Sequence, residues 1–156
     1  MTTPIQIAAG YTPLLNSWYY LQPTIIKAIY DTKTDTTVEN KKKVVAEIFR
    51  PETSTLLKQA LFSVVDQNIE DKVAKVEWYP VGWKSWTSQI SYKGKYQQGI
   101  WWTNASFVGV ITTANPKYLV VVQVRRPRSS IWGTETAAKI FGEVGKFLIN
   151  YSLISK

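Results

Sequence analysis

Three short stretches of strand-like alternation, Lys84–Ile90, Ala105–Thr112 and Tyr118–Arg125, lead into one long amphipathic run from about Glu135 to Tyr151. Strands joined by turns and then followed by a helix predict an α+β chain, an antiparallel sheet with helices packed on it. The first stretch is the most constrained. From Val81 onward, Val81, Trp83, Ser85 and Thr87 fall on one face of a strand, while Gly82, Lys84, Trp86 and Ser88 fall on the other. A lysine beside small hydroxyl residues suits an anionic group, because ammonium, hydroxyl and backbone N–H donors can converge on one carboxylate. The same stretch also reads as an edge strand with a solvated lysine. Val120-Val121-Val122 is apolar on both faces, which predicts a strand covered on both sides.

The flanking segments supply scaffolding. Thr3 as N-cap and Pro4 at the first helical position predict a short helix, ended or kinked near Pro13. Asn16 to Tyr19 reads as a turn, and Leu21 to Tyr30 as an extended segment. A polar turn at Asp31–Asp35 follows, with a short strand at Val44–Phe49. The run Lys41-Lys42-Lys43 reads as a solvated hairpin rim. Pro51-Glu52-Thr53 opens a second helix, on which Leu56, Leu57, Ala60, Leu61, Val64 and Val65 form a stripe expected to be buried. Gln67 to Lys75 is a polar connection. Ser91 to Gly99 is an exposed, aromatic-rich loop of the kind that edges binding clefts or simply joins a hairpin. On the last helix, Ala138, Phe141, Val144, Leu148 and Tyr151 are expected to share one stripe.

With neither Cys nor His among 156 residues, disulfides, thiol nucleophiles and His-based metal or acid–base sites are excluded. Composition, 45% hydrophobic and 19% charged, is that of a folded domain, with no repeat or interdomain linker. No apolar run approaches membrane-span length. A net charge of +8 favours anionic partners without choosing among them.

Lys84-Ser85-Trp86-Thr87-Ser88-Gln89, then Asn104-Ala105-Ser106-Phe107-Val108-Gly109, then Asn115-Pro116-Lys117-Tyr118, resembles the end of a penicillin-binding transpeptidase domain. That family writes Lys-(Ser/Thr)-Gly-Thr on one strand, Ala-Ser-Phe-x-Gly on the next, and an x-Pro-x-Tyr turn before a third. The resemblance continues through Arg126 to Gly133 and Thr136 to Phe141. It also reaches back to Thr3-Pro4-Ile5-Gln6-Ile7-Ala8-Ala9-Gly10-Tyr11, similar to the family's Thr-Pro-Leu-Gln-Leu-Ala-x-x-Tyr helix. It implies a partial β-lactamase/transpeptidase-like domain of the division or elongation type. Residues 1–156 would form the C-terminal portion of a single domain, with Met1 inside it.

Members of that family transfer acyl groups through a serine in Ser-x-x-Lys, assisted by Ser-x-Asn and the Lys-Thr-Gly strand. Neither of the first two motifs occurs in this chain; Thr24/Lys27, Thr55/Lys58 and Thr136/Lys139 match Ser-x-x-Lys only with threonine. The resemblance implies that Lys84 relays a proton and that the Ser85 and Thr87 hydroxyls hold the carboxylate of a stem peptide or β-lactam. It further implies that the Thr87 backbone N–H is one oxyanion donor. The nucleophile would lie in a missing N-terminal part, so the chain alone is expected to be inactive. It implies no cofactor and no nucleic acid partner. The parent would be membrane-anchored, with this domain on the outer face of the cytoplasmic membrane and no anchor in this chain.

Trp18, Trp78, Trp83, Trp86 and Trp101 fall where the family usually has glycine, which suggests a stop codon read as glycine by the source and rendered as tryptophan. Trp132 fits an aromatic slot of the family, and an aromatic-rich surface or core packing is explanation enough for it; Trp102 is left open between the two patterns. A second reading takes the aromatic and basic residues as a non-enzymatic module for glycan or single-stranded nucleic acid.

Overall fold

The computed structural model describes residues 2–16, 18–67, 74–76, 78–112 and 117–154. The polar connection after Gln67 and the Asn115-Pro116 turn therefore lie largely outside the described residues.

Helix α1 (Pro4–Tyr11) starts at Thr3, whose hydroxyl accepts from the Gln6 N–H while the Gln6 side chain accepts from the Thr3 N–H. This reciprocal cap satisfies two backbone donors that the helix itself leaves unpaired. A turn of 3-10 helix, Thr12–Leu14, absorbs Pro13. Strand β1 (Tyr19–Leu21) pairs antiparallel with β4 (Val44–Glu47), and β2 (Ala28–Asp31) with β3 (Thr36–Glu39). The stretch Leu21–Tyr30 is thus two strand ends rather than one extended segment. Pro23 offers no N–H to a ladder, and the Asn40 side-chain amide instead closes the gap by donating to Thr24 Oγ1 and the Ile26 carbonyl, both at 2.9 Å. The three lysines at 41–43 are exposed, as expected of a rim.

The main sheet is antiparallel, in the order β5 (Val81–Gln89), β8 (Thr103–Thr112), β9 (Lys117–Arg125). Between β5 and β8 stands a small hairpin of β6 (Ser91–Tyr92) and β7 (Lys95–Tyr96), followed by a 3-10 turn at Ile100–Trp102. Helix α3 (Ala137–Ile154) packs on one face of the sheet against β8 and β9, and α1 packs against β9. Val120, Val121 and Val122 of β9 are accordingly half-buried.

The core lies between α3 and the sheet. Phe107, Ile111 and Phe141 are fully buried, and Trp83, Phe107 and Phe141 form a ladder with ring centroids 5.0 Å apart at each step. Burying one such ring contributes about 1.5–3 kcal/mol. Phe141 fits because residue 109 has no side chain: a Cβ on Gly109 would lie 2.2 Å from Phe141 Cε2.

Two expected stripes differ from what is observed. On α3 the buried positions are Ala137, Ala138, Phe141, Gly142, Gly145 and Ile149, with Val144 and Leu148 half-buried, whereas Tyr151 is 62% exposed. Continuing 3.6 residues per turn from Phe141 carries the core line through 145 and 149, which turns 151 outward. On α2 (Pro51–Gln67) the buried residue is Ser54. Leu56 is 65% exposed, and Leu57 and Ala60 are also exposed. The far half of the stripe does meet the sheet, with Leu61 and Val64 half-buried, Leu61 over Gly82 and Val64 against the core, while Leu57 and Ala60 border an open cavity.

Candidate functional site around the lysine strand

Strand β5 is an edge, and its pairing with β8 decides which backbone groups are free. The Ile90 N–H donates to the Trp102 carbonyl (2.6 Å) and the Thr112 N–H to the Pro80 carbonyl (3.1 Å). In an antiparallel ladder of this register, even-numbered residues of β5 therefore bond to β8. Odd-numbered ones, Ser85 and Thr87 among them, turn their N–H and C=O to the free edge. The exposed Lys84 side chain curls to that edge, Nζ donating to the Ser85 carbonyl at 2.7 Å. An ammonium and two outward N–H groups thus share one strand edge.

The side chains divide between the faces. Thr87 Oγ1 donates to the Ile131 carbonyl at 3.0 Å, on the side of the segment entering α3. Its hydroxyl hydrogen is committed there and its lone pairs remain to accept. Ser85 is half-buried opposite Phe107. Lys84 and Trp86 lie opposite Val108 and Ser106, on the other face. Lys84 borders an apolar cavity of about 520 Å³ with Gly10, Tyr11, Leu57, Leu61 and Trp83. Trp86 borders a second, of about 420 Å³, with Ile7, Tyr11, Ser88, Asn104 and Gln123. Tyr11 lines both, and burial pushes its phenol pKa up.

The tryptophans occupy unlike settings. Trp18 and Trp78 both have φ of +68°. Trp83 is buried on Phe107, with no hydrogen-bond acceptor for its indole N–H among the described residues. Trp132 is 54% exposed, so it is not a core residue. Trp101 and Trp102 carry the guanidinium groups of Arg128 and Arg126 over their rings, at 5.1 and 5.3 Å.

Two participants have no signal in the sequence. Tyr11 is legible as a helix residue, but not as the wall between two cavities beside β5. The Ile131 carbonyl is invisible because any residue supplies one. Among the described residues no cluster of acidic, His or Cys side chains could hold a metal, and no helix is long and apolar enough to cross a membrane.

A lysine-bearing edge strand in an antiparallel sheet backed by α3, with two outward N–H groups beside a cavity, is an arrangement able to receive an anionic group or a developing oxyanion. The family model for the penicillin-binding protein transpeptidase domain matches residues 1–146, and the chain belongs to that family. Its fold is similar to penicillin-binding protein 3 of Mycobacterium tuberculosis (22% identity, TM-score 0.81), covering 98% of this chain and 36% of that one. Penicillin-binding protein 2X of Streptococcus thermophilus is similar at 24% identity and TM-score 0.82, covering 96% of this chain and 23% of that one. The transpeptidase domain of penicillin-binding protein 3 from Burkholderia pseudomallei is similar at 26% identity and TM-score 0.72, covering 96% and 43%. The chain thus spans well under half the length of each of these relatives. No curated protein matches it. Family membership lends no support to a glycan- or nucleic-acid-binding module.

Proposed function

We propose that this chain is the part of a serine DD-transpeptidase that binds the substrate carboxylate and supplies half of the oxyanion hole. The observation that carries this reading is the free edge of β5, where Lys84 Nζ reaches the Ser85 carbonyl at 2.7 Å beside the outward Thr87 N–H. Acyl transfer requires donors fixed where negative charge develops, and a strand edge provides them without reorganisation. Lys84 relays a proton, the Ser85 hydroxyl binds the carboxylate of a stem peptide or β-lactam, Thr87 joins it when its hydroxyl hydrogen turns from the Ile131 carbonyl to the ligand, and the Thr87 N–H donates to the oxyanion. Two related structures are described as complexes of penicillin-binding protein 3 with aztreonam and with ampicillin, which supports β-lactam as a ligand of the parent.

The serine nucleophile and its lysine belong, on this reading, to a preceding part of the same domain. That part covers the open stripe of α2 and the 520 Å³ cavity beside Lys84, and it reaches the outer face of the cytoplasmic membrane through its own anchor. Support comes from the share of each relative that this chain covers and from the exposure of Leu56 and Leu57. Reading the gene upstream is the test. Ser-x-x-Lys and then Ser-x-Asn in the same frame are expected; an independent promoter and start at Met1 would overturn the assignment.

A further inference from the structure

Among the described residues, five that are not glycine adopt positive φ: Trp18, Asp35, Trp78, Lys93 and Arg126. Asp35 and Lys93 belong to hairpin turns, where acidic and polar residues tolerate this backbone. Tryptophan does not, because its Cβ meets the following carbonyl and its bulk offers no local hydrogen bond in return. At residue 78 packing offers little compensation, since the ring is 90% exposed. The Tyr79 N–H donates to the Val76 carbonyl at 3.1 Å, so residue 78 is the third of a four-residue turn. Positive φ at that position is where glycine is favoured. At residue 18 the backbone bonds impose the conformation. Its N–H donates to the Pro13 carbonyl at 2.8 Å, and its carbonyl accepts from the Ile48 N–H at 3.1 Å.

We infer that the protein made in its source carries glycine at positions 18 and 78, and with them at 83, 86 and 101. Each tryptophan would arise from a stop codon that the source reads as glycine. For 18 and 78 the inference stands on backbone geometry alone; for 83, 86 and 101 it rests on the family reading above. Trp83 is the mixed case: its ring stacks on Phe107 in the core while its buried indole N–H has no acceptor among the described residues, and a glycine there removes both. The consequence for the site is direct. Trp83 and Trp86 each wall one of the two cavities that share Tyr11, so glycine at 83 widens the space beside Lys84 and glycine at 86 the space beside Ser88.

Two measurements test this independently of any transpeptidase activity. The gene should carry UGA at 18 and 78, with the ordinary tryptophan codon UGG at Trp132. Peptide mass spectrometry of the protein from its source should show glycine at both; UGG or a tryptophan-containing peptide at either position overturns the inference. On the chain carrying tryptophan, Trp78→Gly is expected to raise Tm by about 2–4 °C, and Trp78→Ala by clearly less. Equal effects of Gly and Ala would show that backbone conformation is not the cause and would count against it.

Discussion

Thr87 Oγ1 donates to the carbonyl of Ile131 across 3.0 Å, tying the edge strand β5 to the segment that enters α3. The bond fixes the part of β5 whose N–H faces the free edge, so it joins the stability of the sheet to the geometry of the site. Thr87→Val keeps the shape and removes the donor. It is expected to cost about 0.5–1.5 kcal/mol in urea unfolding, with Thr87→Ser recovering most of that. A loss no larger than the error of the extrapolation would mean that the bond is dispensable.

Gly109 and Phe141 should behave as one unit. A methyl group at 109 would lie 2.2 Å from the ring, and Gly109→Ala is expected to destabilise by about 1–3 kcal/mol through overpacking. Phe141→Leu made in the same chain should offset part of this, giving a double-mutant coupling well outside additivity. Additive losses would place the crowding elsewhere.

The three-stranded sheet and its helix were legible in the sequence because alternation at Lys84, Phe107 and Val122 has one physical reading, and amphipathic spacing after Glu135 has another. The ends moved by only a few residues. On α2 periodicity locates Leu61 and Val64, which meet the sheet, but not the exposure of Leu56 and Leu57, because it records which side chains avoid water and not what covers them. Tyr151 was misjudged because a stripe extrapolated over four turns drifts by the difference between regular 3/4 spacing and 3.6 residues per turn. Lys84, Ser85 and Thr87 were legible as a set. Their division between the two faces and the free edge was not, since it depends on register with β8.

Tyr11 gives the fold an alkaline limit. Burial raises its phenol pKa in the folded chain above the ordinary value near 10, so the neutral form is favoured by folding. Its contribution to stability is complete below the unfolded-state value and is lost as pH rises through the folded one. Tyr30, whose hydroxyl donates to Asp35, is also raised, so phenolate absorbance at alkaline pH should show late-titrating tyrosines of which Tyr11→Phe removes one. An unchanged titration in that variant would assign the late group to another residue.

The exposed stripe of α2 and the outer edge of β9 should make the chain sticky on its own. Strand β9 pairs with β8 on one side and, among the described residues, with no strand on the other, and Leu56 is 65% exposed. Open apolar edges of this kind recruit other chains. The isolated chain is expected to bind a hydrophobic dye and to associate as its concentration rises, with both effects suppressed when the upstream part is expressed in the same polypeptide. Equal dye binding by the two forms would show that the upstream part does not cover these surfaces.

Acylation by a labelled penicillin, read by intact mass, tests the assignment most directly. The chain of 156 residues should show no added mass, because it contains no Ser-x-x-Lys. The polypeptide encoded with its upstream part should gain one penicillin per molecule, on a serine outside this chain. Lys84→Ala in that longer form should slow acylation by about 100-fold or more while its unfolding curve stays unchanged. Stoichiometric mass added to the isolated chain, or full-rate acylation of the Lys84→Ala form, would contradict the account.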